Sequence, residues 1–118
     1  MKSIIYFVSE DWYFCSHRLP IARKALADGF KVVVITRINK HGDIIKSEGF
    51  ELESIEIKRG GVNLVSEFKT LFALYSCYKK YNPDIAHHVA LKPVIYGTLV
   101  ARFIGSIKIV NAMAGLGF

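Results

Sequence analysis

The chain alternates short continuous apolar runs with longer segments in which apolar residues return every three or four positions. Ile4-Ile5-Tyr6-Phe7-Val8 reads as a strand buried on both faces, because a strand covered by helices on either side has no polar face to show. Residues 9–15 read as a loop and residues 16–28 as a helix that turns Leu19, Ala22 and Leu26 inward and stops at Gly29. A second buried run covers residues 31–36, and residues 41–48 suit a short helix. Over residues 50–57 Leu52, Ile55 and Ile57 alternate with Glu51, Glu53 and Glu56, the pattern of a half-exposed edge strand. After a turn at Arg59-Gly60-Gly61, the set Leu64, Phe68, Leu71, Phe72, Tyr75 and Tyr78 recurs at helical spacing as far as Tyr81, where Asn82-Pro83 ends the element. A fourth strand over residues 84–89, a helix over 93–104 with Pro93 in its first turn, and a fifth strand over 107–111 complete the pattern.

Strands and helices in this order predict an α/β protein: a Rossmann-like, doubly wound parallel sheet with a ligand crevice outside the carboxyl ends of its strands. No linker, repeat or low-complexity stretch divides the chain, so residues 1–118 are expected to form one domain. The loops that matter are those that follow each strand.

Charge narrows the partners. A net charge of +6 and a pI near 9.4 point to something anionic, and phosphorylated substrates, lipid headgroups and nucleic acid all qualify. The basic residues are scattered and carry no recognition-helix, zinc-finger or stacking-platform signature, which argues against nucleic acid. Cys15 and Cys77 stand far apart with no second pair, which suits a reducing cytoplasm and small apolar fillers better than a metal or disulfide framework. The first apolar run is too short for a signal peptide, and no stretch reaches the ~18 apolar residues of a membrane span.

Two loops carry candidate chemistry. The first, residues 9–18, brings Glu10 and Asp11, the rings of Trp12, Tyr13 and Phe14, and the pair His17-Arg18 to the mouth of the crevice. A helix starting at Ser16 would offer free backbone donors there, and with Arg18 and His17 it could hold a phosphate or a sugar hydroxyl. The alternative is a local one: Ser16 caps the helix, the rings plug its end and Arg18 is solvated. Glu10 and Asp11, adjacent in a loop, cannot be assigned the separation of a glycosidase pair and are expected to be solvated. The second loop follows the fourth strand. His87 and His88, adjacent on a strand, point to opposite faces, so one of them at most faces the crevice and a two-histidine metal site is disfavoured. That residue would exchange hydrogen bonds with a sugar while Lys92, near the next helix start, supplies charge for a phosphate. Against this stands a histidine satisfied by its own backbone surroundings. Neither Gly60-Gly61 nor Gly115-Leu116-Gly117 forms a dinucleotide fingerprint or a phosphate-cradling loop. The helix over 64–81 also sets bulky apolar residues beside Lys69, Lys79 and Lys80, a combination that suits either packing on the sheet or contact with an anionic membrane surface.

Taken in order, Glu10-Asp11-Trp12-Tyr13-Phe14, Ser16-His17-Arg18-Leu19-Pro20, Arg59-Gly60-Gly61-Val62-Asn63, the run from Pro83 through His87-His88 and Lys92-Pro93 to Gly97, and Val110 to Gly117 resemble the N-terminal domain of family 4 glycosyltransferases, above all bacterial enzymes of capsule, O-antigen and glycan assembly. The resemblance implies a GT-B architecture, in which an N-terminal domain holds the acceptor and a C-terminal domain holds a nucleotide-sugar donor. It implies sugar transfer with retention, no metal or other cofactor, and an acceptor often linked to polyprenyl diphosphate at the inner membrane face. The histidine that contacts the donor sugar in the family matches His87, with His88 as the alternative. Acceptor binding would fall to Glu10, Trp12, His17, Arg18, Arg59, Asn63, Lys92, Gly115 and Gly117. The expected partners are a glycan acceptor, a membrane surface and a donor-binding domain or subunit. The expected location is the cytoplasm, against the plasma membrane. On this resemblance the donor-binding domain is missing after Phe118, so the chain alone is expected to be inactive. The alternative is a non-catalytic acceptor- or membrane-binding subunit that pairs with a separate donor-binding chain.

Overall fold

The structure is a computed structural model that describes residues 2–57 and 63–113. Five parallel strands, β1 (Ser3–Glu10), β2 (Lys31–Arg37), β3 (Glu51–Ser54), β4 (Ile85–Val89) and β5 (Lys108–Ala112), form one sheet in the order β3-β2-β1-β4-β5. The chain winds outward from β1 through β2 to β3, then returns to place β4 on the other side of β1. Helices α1 (Asp11–His17), α2 (Leu19–Ala27) and α3 (Gly42–Ser47) therefore cover one face, and α4 (Leu64–Tyr81) and α5 (Leu91–Ile104) the other. This is the doubly wound sheet that the alternation of elements predicts.

The period-2 alternation of strand side chains sorts the core into two layers. Ile4, Tyr6 and Val8 of β1 join Val32, Val34, Phe14 and Ile45 under α1–α3, while Ile5 and Phe7 join Val33, Ile35, Leu74, Tyr78 and Val100 under α4 and α5. The same rule sends His87 to the first layer and His88 to the second. Asp84, read as the start of β4, stands just before it, and its carboxylate accepts a hydrogen bond from Ser3 N at 2.8 Å, tying the entrances of β1 and β4 together.

The predicted boundaries fail where side chains meet across long sequence distances. Residues 9–15 are not a loop: β1 continues to Glu10 through a register irregularity against β2, where Phe7 pairs with Ile35 but Glu10 with Arg37, and α1 follows at once. Ser16 lies inside α1, so no helix begins there to offer free backbone donors or to be capped. The helix predicted over 16–28 is two helices broken at Arg18, with Pro20 in the first turn of α2. β3 is only four residues long; Ile55 then turns into the core while Glu53 accepts hydrogen bonds from Tyr81 Oη at 2.6 Å and Lys80 Nζ at 3.1 Å. α4 keeps its predicted span and ends on Asn82 in the left-handed region, φ 45°.

Candidate functional site

In an open sheet of this winding the crevice opens where crossovers leave in opposite directions, here between β1 and β4. Two irregularities mark that point. β1 reaches its carboxyl end through the bulged register, a device that re-aims the residues after it. β4 hands over to α5 through Ala90, whose φ of 80° and ψ of 166° belong to a region that glycine occupies and alanine enters only under strain, about 1–3 kcal/mol. The surroundings hold it there: Ala90 N donates to Ala112 O at 2.9 Å and Val94 N donates to Ala90 O at 3.0 Å.

On the α1–α2 side of this point stand Tyr6, Arg18 and His87. The Tyr6 and His87 rings lie 5.2 Å apart. Burial lowers the pKa of His87, and the Arg18 guanidinium lowers it further. Tyr6 moves upward through burial, with Arg18 opposing. The neutral imidazole has a buried Nε2 without a hydrogen-bond partner, and Arg18 has a buried Nε in the same condition. Arg18 reaches this position because it is the junction between α1 and α2; its Nη1 donates to the His17 carbonyl at 3.3 Å. Two unpartnered polar groups under one positive charge are suited to bind a hydroxyl or an anionic oxygen. Tyr6 went unnoticed in the sequence because it sits in an apolar run; its one signal is a hydroxyl in an otherwise hydrocarbon strand.

The remaining residues expected at the site divide. Trp12 is exposed on α1, edge-on to Tyr13 at 5.7 Å, and His17 stacks on the Tyr13 ring at 4.1 Å. Phe14 turns into the core against Tyr6 and Phe50. Glu10 is half-buried with Arg37 Nη1 3.4 Å from its carboxylate. Lys92 occupies the first turn of α5, at the carboxyl end of β4. Asn63 stands at the same end of the sheet but beyond the edge strand, where its Oδ1 caps α4 by accepting from Val65 N at 3.1 Å and Ser66 N at 3.4 Å. Arg59, Gly115 and Gly117 lie outside the described residues.

Asp11 corrects the expectation of a solvated pair. It is fully buried, and its Oδ2 accepts from Asn39 N at 2.7 Å and His41 N at 2.9 Å. Burial alone would raise its pKa; the backbone donors of Asn39, His41 and Trp12 outweigh that and hold the carboxyl below its ordinary range. It therefore pins the segment after β2 to the start of α1, which positions Arg18 seven residues on.

His88 has the opposite surroundings from His87. It is fully buried, with Tyr78 Oη 2.7 Å from Nε2 and Asn111 Oδ1 2.8 Å from Nδ1. Because the Asn111 amide nitrogen donates to Thr98 Oγ1 at 3.1 Å, its carbonyl oxygen must accept from Nδ1–H, and Nε2 accepts from the tyrosine. Burial pushes the His88 pKa down to about 4 against the opposing effect of the Asn111 bond. The ring has no nitrogen left for a ligand. Gly97 of α5 packs directly on it: a Cβ there would fall inside the imidazole.

Among the described residues no cluster of three or more His, Cys, Asp or Glu side chains is placed to hold a metal ion, and no helix is long and apolar enough to cross a membrane.

Several solved proteins share this architecture. MurG from Acinetobacter baumannii superimposes with a TM-score of 0.73 at 18% identity over 94% of this chain and 34% of its own. CalG4, the calicheamicin glycosyltransferase, gives 0.69 at 16% identity over 100% of this chain and 34% of its own. The UDP-GlcNAc 2-epimerase from Methanocaldococcus jannaschii gives 0.64 at 19% identity over 98% of this chain and 32% of its own. The chain thus spans about a third of the length of these structures, and at such identities the likeness is one of fold. Comparison with curated protein sequences gives no match. The model of the glycosyl transferase 4-like family matches residues 3–118, and with a parallel sheet wound like one Rossmann-like half of a GT-B enzyme, this chain is a member of that family.

Proposed function

We propose that the chain is the acceptor-binding domain of a glycosyltransferase, and that the acceptor sugar sits at the carboxyl ends of β1 and β4 against Arg18 and His87. The single observation behind this reading is the pair of buried, unpartnered nitrogens, Arg18 Nε and His87 Nε2, beside the strained turn at Ala90. The family match and the fold support glycosyl transfer in general. The chemistry requires an acceptor hydroxyl to attack the anomeric carbon of a nucleotide-sugar as the bond to the nucleoside diphosphate breaks, with the hydroxyl proton passing to the departing phosphate side. A neutral His87 accepts or donates one hydrogen bond to a sugar hydroxyl, and the Arg18 cation favours an acceptor that carries phosphate nearby. Trp12, exposed on α1, offers a stacking face for a sugar ring.

The finer parts of the proposal are transfer with retention, no cofactor, and a polyprenyl-diphosphate-linked acceptor of cell-surface glycan assembly. The donor diphosphate is held by a second Rossmann-like domain, on the same polypeptide or a separate one, so these 118 residues alone bind acceptor without turning over donor. Calorimetric titration with a short-chain polyprenyl-diphosphate sugar tests this. Binding that weakens about tenfold in Arg18→Ala and in His87→Ala, the loss of one good charged or polar contact, is the expected result. Preferential binding of UDP-sugars, or acceptor binding that neither substitution changes, overturns it.

A further inference from the structure

Arg18 is a half-buried cation, and no carboxylate among the described residues comes within ion-pair distance of it. The acids nearest to it in the chain are engaged elsewhere. Glu10 faces Arg37 Nη1 at 3.4 Å, and Asp11 Oδ2 accepts from the amides of Asn39 and His41. The field on the neighbouring groups has one sign: Arg18 lowers the pKa of both Tyr6 and His87, and no acid among the described residues opposes it at either. Drawing a cation partly out of water without an opposite charge costs free energy that a bound anion restores.

The guanidinium also presents a defined shape. Its one hydrogen bond among the described residues runs from Nη1 to the His17 carbonyl at 3.3 Å. Nη1 lies on the Cδ side of the group, so the opposite edge, Nε–H beside Nη2–H, remains open, and its Nε is one of the two buried nitrogens without a partner. Two parallel donors on one edge match the two oxygens of a carboxylate, plane to plane. A sugar hydroxyl brings one oxygen and no charge, and leaves half of this edge unmet. A phosphate monoester carries about −1.5 to −2 at pH 7, more than one guanidinium beside a neutral imidazole balances. A single planar negative charge fits both the edge and the charge.

We propose that the acceptor sugar is itself acidic: a uronic acid whose carboxylate lies across Nε and Nη2 of Arg18 while His87 Nε2 meets a neighbouring hydroxyl of the same ring. The inference rests on the acceptor-binding reading of this site and narrows it. The anion at the Arg18 edge belongs to the sugar, and any phosphate of the acceptor lies outside that fork. Arg18 then selects the sugar as well as holding it, since a neutral hexose leaves the cation unpaired.

The test is titration of the purified chain with methyl glucuronide and methyl galacturonide, each set against its neutral counterpart, methyl glucoside or methyl galactoside, and against glucose 6-phosphate. NMR of the Arg18 Nε–H and of the His87 ring reads binding at the site directly. At least one uronide is expected to bind about tenfold or more tightly than its neutral counterpart and to shift the Arg18 Nε–H resonance. It should also raise the pKa of His87, because it sets a negative charge against Arg18, while the neutral glycosides leave that titration in place. Arg18→Gln should abolish the preference, and Arg18→Lys, which keeps the charge and loses the edge, should reduce it several-fold. If these variants do not fold, the resonances of the unsubstituted chain decide the matter. Equal binding of uronide and neutral glycoside, both weakened by Arg18→Ala and His87→Ala, overturns the acidic sugar and leaves the acceptor site standing. Uronide binding indifferent to Arg18, tighter binding of glucose 6-phosphate, or no shift at Arg18 and His87 with any of these sugars overturns it as well. Only the last of these, together with polyprenyl-diphosphate sugar binding that ignores both residues, removes the acceptor reading too.

Discussion

Replacing Gly97 by alanine should destabilise the protein, against the sign that helix propensity alone gives. In an exposed helix interior the change gains about 1 kcal/mol. Here the new methyl would occupy the position of the His88 ring, and that ring is held from both ends by Tyr78 and Asn111. Forcing a methyl into packed space costs about 1–3 kcal/mol, and displacing the ring breaks at least one of its two bonds, leaving a buried polar group unpaired for about 1–3 kcal/mol more. The net expectation is a loss of about 3 kcal/mol, within a range of roughly 1–5. At an ordinary urea dependence for a chain of this size, that lowers the unfolding midpoint by about 1–2 M. Urea titration followed by circular dichroism measures it, and a double-mutant cycle isolates its cause. His88→Ala alone leaves a cavity and strands Tyr78 Oη and Asn111 Oδ1, but when both substitutions are combined the methyl added at position 97 enters the vacated space. The double loss should therefore be smaller than the sum of the single losses by about 1–3 kcal/mol. A Gly97→Ala variant as stable as the parent, or strictly additive losses, would refute the assignment of His88 to a locked position beneath α5.

The same histidine gives a pH signature. With its folded pKa near 4 and an unfolded value of 6.5, the unfolded chain binds the proton first, so stability falls as pH drops from about 6.5 and the loss, about 3 kcal/mol, is complete below about 4. Nitrogen chemical shifts of the His88 ring should report a neutral Nδ1–H tautomer at pH ~5.5, and titration of His88 near 6.5 would contradict the burial argument. Arg18→Ala should raise the pKa of His87 and raise that of Tyr6 further, because the guanidinium lowers both; the imidazole titration followed by NMR checks this without any substrate, and an unmoved His87 would remove Arg18 from its neighbourhood. Asp11→Ala strands two buried backbone donors, at Asn39 and His41, and is expected to cost roughly 2–4 kcal/mol in urea unfolding; a loss below about 0.5 would show that the carboxylate does not tie these segments together.

What the sequence determined by itself is the repeated unit and its winding. Ile4 to Val8 and the run over residues 31–36 are apolar on both faces, and a strand of that kind is stable only between two layers of helices. The long helix from Leu64 to Tyr81 and its stop at Asn82-Pro83 follow from local spacing and backbone chemistry, and the ordered motifs identify the family. The division between His87 and His88 was also legible, because adjacent residues on a strand must point to opposite faces; their environments were not. Only tertiary structure decided that His88 would meet Tyr78 from α4 and Asn111 from β5 and be sealed by Gly97, while Nε2 of His87 stayed unpartnered beside Tyr6 and Arg18. Asp11 shows the reason most plainly. As a residue beside Glu10 it looks like solvated loop, yet it starts a helix and is fully buried because its partners are the backbone amides of residues 39 and 41, across the top of the sheet. Hydrophobic period and turn chemistry act over a few residues and are written in the local sequence. The pairing of buried polar groups acts through space, and it becomes definite only when the strands have taken their order.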